Sequence, residues 1–298
     1  MSASLLARIE EEYPHLSKGH KKLADYILDN YDKAAFFTAA KLGEVTGISV
    51  STVVRFATHM GYEGYPEFHA ALQEAIKGKL TATQRLEVGD TQLAGVSILD
   101  TVLQTDIDSI KRTLQTIDRD AFAGAADAIN GAKHIYILGV RSSGPIASLI
   151  HYYFKMVYPE VILIRSTSSS EMFEELFRIG PEDVCIAVSF PRYSKQVYNM
   201  LSYVRDQKAR IIALTDHPDA PIASISDFVL IARTSMLSFL DSITAPISIV
   251  NALILAASGG RHDDVVTNLS ELERVWDLYD IYEKPDEDEP VREESPDE

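Results

Sequence analysis

The sequence predicts a chain of α plus α/β class: an all-helical N-terminal domain followed by a doubly wound domain built on a parallel sheet. Three observations lead there. The 298 residues exceed the usual length of one domain. Before residue 80 the apolar residues recur at helical spacing. From residue 134 onward, short runs that are apolar nearly throughout alternate with helical segments, the pattern of a parallel sheet covered on both faces.

In the first domain, residues 1–80, the segment Ser17–Asn30 reads as a helix. Ser17 can cap it, and Leu23, Ile27 and Leu28 recur along one face. Thr38–Thr46 follows as a second helix, with Leu42 and Val45 expected inward. Gly47-Ile48 makes a turn, Ser49 caps a third helix running to about Met60, and Gly61 ends it. Tyr65–Leu80 carries Phe68, Leu72, Ala75 and Ile76 on one face. Residues 81–97 are polar and aperiodic and are predicted as a linker.

The second domain, residues 98–282, opens with a long helix over Ile98–Thr116. Strands are predicted at His134–Val140, Val161–Ile164, Val184–Ser189, Arg210–Thr215 and Phe228–Ala232. Helices are expected at Pro145–Val157, Ser170–Arg178, Lys195–Lys208 and Ser242–Ala257. Residues 283–298 hold nine acids against two bases and several prolines, and are predicted to be a disordered acidic tail.

The formal charge of -16 argues against nucleic acid until it is read by region. Residues 1–80 carry nine bases and ten acids, so this domain is near neutral and must bind DNA through placed residues. One cysteine, Cys185, excludes an internal disulfide framework and a cysteine-based zinc site, and suits a reducing cytoplasm. No secretory signal is read at the N-terminus. The most apolar stretch, Ile243–Ala257, is too short to span a bilayer, so no membrane partner is expected. No metal site and no cofactor loop of the Walker type is found.

The segment Ala40–Gly61 has the layout of a helix-turn-helix: a short helix, a glycine turn, then a helix with a polar start and an apolar inner face. Ile48, Val53, Phe56, Ala57 and Met60 are expected inside. Ser49, Ser51, Thr52, Arg55 and His59 are left for the outer face. Hydroxyls and amides at a helix start suit phosphate oxygens, and Arg55 can reach a phosphate or a guanine edge. His59 reads as a rim residue. Spacing alone also fits any amphipathic helical hairpin.

Two strand-to-helix loops carry the small-molecule signal. Gly139-Val-Arg-Ser-Ser-Gly144 offers Ser142 and Ser143 at a helix N-terminus, with Gly139 and Gly144 expected to turn the chain. Ser189-Phe-Pro-Arg-Tyr-Ser194 offers Ser189, Arg192 and Ser194, with Tyr193 as a pocket wall or interface residue. Open α/β sheets bind ligands at these carboxyl ends. Each serine alone fits a plain helix cap; two such loops on one sheet point to an anion pocket. Arg141 stands where a dinucleotide fingerprint needs its middle glycine, which speaks against that ligand.

These motifs resemble a known pair. Lys41–Gly64, with Ser51-Thr-Val-Val-Arg-Phe56 and Met60-Gly-Tyr-Glu-Gly-Tyr65, resembles the helix-turn-helix of RpiR-type transcription regulators. The stretch from about Phe122 to Ala257 resembles a sugar isomerase (SIS) domain. The resemblance implies control of carbohydrate-metabolism genes, operator DNA as partner, a phosphosugar or related acid as effector, and a homodimer or homotetramer formed through the SIS domain. Its serine loops map onto Ser142 and Ser143, and onto Ser189 and Ser194. The second loop departs from the family's usual Ser-x-Ser-Gly-x-Thr: Pro191 and Arg192 replace the small residues, exchanging a hydroxyl for a cation, so the effector is expected to carry a carboxylate, or a phosphate placed differently, and its identity stays open.

SIS domains also serve as sugar-phosphate isomerases, which need a positioned base. The candidates are Glu171, Glu174, Glu175 and His217, and they form no evident acid–base pair. The expectation is a regulator and not an enzyme.

Overall fold

The computed structural model describes residues 5–76, 78–166 and 168–283. Six helices form the N-terminal part: α1 (Leu5–Glu12), α2 (Lys18–Asp29), α3 (Tyr31–Ala34), α4 (Ala39–Thr46), α5 (Val50–His59) and α6 (Tyr65–Ile76). Their starts follow cap chemistry. The side chains of Ser17, Thr38 and Ser49 accept from the backbone amides of His20, Lys41 and Thr52, satisfying amides that the helices leave unpaired. Gly47 ends α4 in the left-handed region at φ 67°, open to glycine without steric cost. A Cβ on Gly43 would come within 2.6 Å of the Ile48 carbonyl, so the tight turn needs a glycine there as well.

One core holds these helices together. Leu23, Ile27, Leu42, Phe56, Phe68 and Leu72 are fully buried in it, each adding roughly 1.5–3 kcal/mol by leaving water. Val53, Ala57 and Met60 join them as expected, and Ile48 is partly buried against them. Val45 does not: it is 39% exposed, because α5 packs against the Leu42 side of α4 and leaves Val45 outside.

Residues 81–97 are not aperiodic chain. Helix α7 spans Ala82–Leu93 and starts on a capping box, in which Thr81 and Gln84 each bind the other's backbone amide. Then come α8 (Ile98–Thr116), at the expected residues, and α9 (Arg119–Asn130).

The α/β part runs β1 (Ile135–Gly139), α10 (Gly144–Val157), β2 (Val161–Ile164), α11 (Ser169–Leu176), β3 (Val184–Val188), α12 (Lys195–Asp206), β4 (Arg210–Thr215), β5 (Phe228–Ile231), α13 (Thr244–Gly259) and α14 (His262–Leu278). The strands form one parallel sheet in the order β2-β1-β3-β4-β5. Alternate strand residues serve two cores, as the strand period of two requires. Ile135, Ile137, Ile186 and Ile212 face α9, α10 and α13, whereas Tyr136, Leu138, Cys185 and Ile211 face α11 and α12. Helices therefore cover both faces, as a doubly wound sheet requires. The order reverses beside β1, so the loops after β1 and β3 open side by side at the carboxyl edge.

No helix among the described residues is long and apolar enough to cross a membrane. Residues 284–298 of the acidic tail lie outside the described residues.

Candidate functional site

Helix α5 presents a connected polar start. The Ser49 hydroxyl lies 3.0 Å from that of Ser51 and 2.9 Å from that of Thr52, and Arg55 Nη2 donates to Thr52 Oγ1 at 3.1 Å. Ser49, Ser51 and Arg55 are exposed and Thr52 is half-buried. Four of the five expected residues thus form one hydroxyl–guanidinium patch. His59 stands apart at the far end of α5, with its Nε2 4.0 Å from Glu12 and its ring 5.5 Å from that of His20.

Sequence reasoning missed His20 on α2. Its ring sits edge-on to Phe56 at 5.4 Å. Burial, then the charges of His59 and Arg55, push its imidazole below the ordinary range. Exposed Val50 and Val54 flank the polar patch and could touch thymine methyls.

The two serine loops meet in one cleft of about 840 Å³ at the carboxyl edge of the sheet. Ser142, Ser143, Ser189, Arg192 and Ser194 all line it. Ser194 is a helix cap: its hydroxyl accepts from Val197 N at 3.5 Å. The other three serines behave differently. Ser143 stands at the N-cap of α10 without a capping hydrogen bond, and the hydroxyls of Ser142, Ser143 and Ser189 hold no hydrogen bond among the described residues.

The first loop does not turn as expected. Gly144 is right-handed, and the left-handed residue is Arg141 at φ 55°, which costs a non-glycine residue roughly 1–2 kcal/mol. Gly139 serves closeness of packing instead: a Cβ there would lie 2.9 Å from both the Ala147 Cβ and the Ser143 carbonyl oxygen.

Charge in the cleft is one-sided. Arg85, Arg141, Arg192 and Lys195 line it against one carboxylate, Asp241. Arg85 and Asp241 form an ion pair with side chains 7% and 13% exposed. Sequence reasoning missed both, because Arg85 lies on α7 and Asp241 on the loop after β5; spacing cannot join residues 156 apart.

Tyr193 is both wall and interface. It lines this cleft and also a second one, of about 480 Å³, where Leu5, Arg8 and Tyr62 meet Pro191 and Asp216. Its hydroxyl donates to Asp216 Oδ1 at 2.8 Å, and burial together with that carboxylate pushes the phenol up.

None of Glu171, Glu174, Glu175 and His217 lines the serine cleft. Glu171 accepts from the Ser166 hydroxyl, and Glu175 accepts from Arg165 N at 3.2 Å. His217 Nδ1 accepts from Asp219 N at 3.1 Å within its turn.

Known families match both parts in this order. Residues 3–79 match the helix-turn-helix domain of the rpiR family, and residues 128–256 match the SIS domain. The chain thus joins an rpiR-family helix-turn-helix domain to a SIS domain. Among its relatives, a HTH-type transcriptional regulator of Clostridium perfringens is 24% identical over 230 residues, covering 76% of this chain and 80% of that one. The regulator HexR of Escherichia coli is 24% identical over 217 residues, covering 71% and 72%. The solved structure of Vibrio vulnificus NanR complexed with ManNAc-6P has a TM-score of 0.57 at 23% identity, covering 92% of this chain and 98% of that one. At that identity it shows the shared fold. The chain is thus a helix-turn-helix transcriptional regulator with a SIS domain.

Proposed function

We propose that this regulator controls carbohydrate-metabolism genes in the cytoplasm by coupling operator binding through α5 to occupancy of the SIS cleft by a phosphosugar or sugar acid. The observation that carries the effector reading is the cleft: three serine hydroxyls without partners among the described residues, and four cations, face one carboxylate. Such a set favours an oxyanion, and the neutral hydroxyls suit its sugar. The phosphosugar held by NanR supports the same ligand class.

The regulator reading is favoured over an isomerase because none of the four candidate bases lines the cleft. Moving a proton between adjacent carbons needs a base within reach of the bound sugar.

The protein acts as a homodimer or homotetramer in this reading. Helix α8 carries an exposed apolar stripe, Leu99, Leu103, Ile107, Ile110 and Leu114, at three- and four-residue spacing. A second copy covering it would bury that surface and set two α5 helices on a palindromic operator, about 34 Å or a multiple apart.

A thermal-shift screen against phosphosugars, sugar acids and neutral sugars tests the effector reading. Ligands that bind the native state raise Tm by mass action. Stabilisation by the anionic sugars alone is expected; equal stabilisation by neutral sugars would remove the cations from the reading.

A further inference from the structure

The loop of residues 232–243, between β5 and α13, has two working sides. Thr234, Phe239, Leu240, Asp241 and Ile243 line the cleft. Its hydrogen bonds also reach α7 and α8. Ser235 Oγ lies 2.9 Å from Ser109 Oγ and accepts from Arg112 Nη2 at 3.0 Å. Asp106 accepts from the hydroxyls of Ser242 and Thr244, the latter at 2.8 Å. Met236 packs onto the core of the helix-turn-helix domain. A bridge between Met236 and Asp241, with Ser242 N donating to the Ser235 carbonyl at 3.0 Å, closes the loop on itself.

Helix α7 lies flush on this loop. A Cβ added to Gly89 would overlap Ser238, backbone included. One turn earlier, Arg85 donates from Nη2 to Asp241 Oδ1. Among the described residues lining the cleft, Arg85 alone precedes the α/β domain; the rest begin at Val140. Its Nε is buried and donates to no acceptor among the described residues.

A buried ion pair stabilises well only when the remaining donors are also satisfied. Here the buried Nε–H of the guanidinium fork has no acceptor among the described residues, beside a cleft built for an oxyanion. An anion arriving there would meet two effects of opposite sign: attraction to Arg85, and repulsion by Asp241 in a medium less polarisable than water. Asp241 and the anion thus compete for one guanidinium.

We infer that Arg85 reads the effector: the oxyanion in the cleft takes up the Arg85 guanidinium in competition with Asp241, and so loosens the hold of α7 on the 232–243 loop. This rests on the anion-binding reading of the cleft. It adds the route by which occupancy reaches the helix-turn-helix domain, because α7 follows that domain directly and Met236 touches its core.

The competition has a signature in opposite signs. Calorimetry on the full chain would use inorganic phosphate, glucose 6-phosphate and gluconate as probes, with thermal melts to confirm folding. Arg85→Gln is expected to weaken the bound probe about tenfold, as the loss of one charge-assisted contact does. Asp241→Asn, which keeps the shape and removes the competing charge, is expected to tighten it by about as much. Arg85→Lys should fall between wild type and Arg85→Gln, because it keeps the charge and loses the fork. Hydrogen exchange of the α7 amides should rise with the probe in wild type and stay flat in Arg85→Gln. If both Arg85→Gln and Asp241→Asn weaken binding alike, Arg85 is a strut and the inference falls. Should Arg85→Gln not fold, the Asp241→Asn titration decides alone. If a probe binds, and Ser142→Ala with Ser189→Ala abolishes binding while Asp241→Asn leaves it unchanged, the cleft reading stands and only the role of Arg85 is lost. If no probe binds wild type or Asp241→Asn, both fall together.

Discussion

Tyr193 and Asp216 are joined by a 2.8 Å hydrogen bond at the seam between the helix-turn-helix domain and the cleft. Tyr193 follows the serine loop's Arg192, and Asp216 follows β4, so the bond ties the loops after two neighbouring strands at the point where α1 and α6 approach. Tyr193→Phe removes the donor and leaves a buried carboxylate short of a partner. It should lower stability by about 1–3 kcal/mol in urea denaturation. A change within error would mean that the other contacts of Asp216 suffice.

Alkaline pH should expose the buried phenols. Burial pushes Tyr65 and Tyr158 up to about 12, and Tyr193 higher, from an ordinary 10.0. The unfolded chain therefore loses these protons first. Their contribution is fully present below pH 10 and is lost as pH rises toward the folded values. The urea midpoint should fall steadily above pH 10, and less steeply in Tyr65→Phe and Tyr158→Phe.

Arg55→Ala should weaken binding of a duplex selected from random DNA by the wild-type protein about tenfold. If Arg55 meets a phosphate, the slope of log affinity against log salt should fall by about one. Unchanged gel-shift titrations would place the DNA face elsewhere.

Ser142→Ala with Ser189→Ala should abolish the response to the effector and spare operator binding, since both residues line the cleft far along the chain from α5. Calorimetry beside a gel shift separates the two.

Cys185 is fully buried in the core facing α11 and α12, and burial pushes its thiol up to about 12. A thiol reagent should find no reactive group at pH 8 in the native protein and one in urea. Rapid labelling of the native state would contradict the packing of that core.

Much of this fold was legible because its signals are local. The five predicted strands agree with the structure to within two residues at each end, since uniformly apolar runs between helical segments have few other solutions. Ser17, Thr38 and Ser49 cap the helices they precede. Helix α7 escaped because Leu86, Gly89 and Leu93 make a poor apolar stripe. The Thr81–Gln84 capping box was the available sign of it. Helix α1 escaped because only Leu5, Leu6 and Ile9 stand against charge.

The hydroxyls of the two serine loops and the polar start of α5 could be named from residue type and spacing, because a turn or a cap is settled within a few residues. The partners of Arg85, the neighbours of His20 and the left-handed turn at Arg141 could not. Each depends on which distant surfaces meet when the cores close. Arg85 and Asp241 are 156 positions apart; nothing in either neighbourhood marks the other, and only the docking of α7 on the sheet's edge makes them a pair.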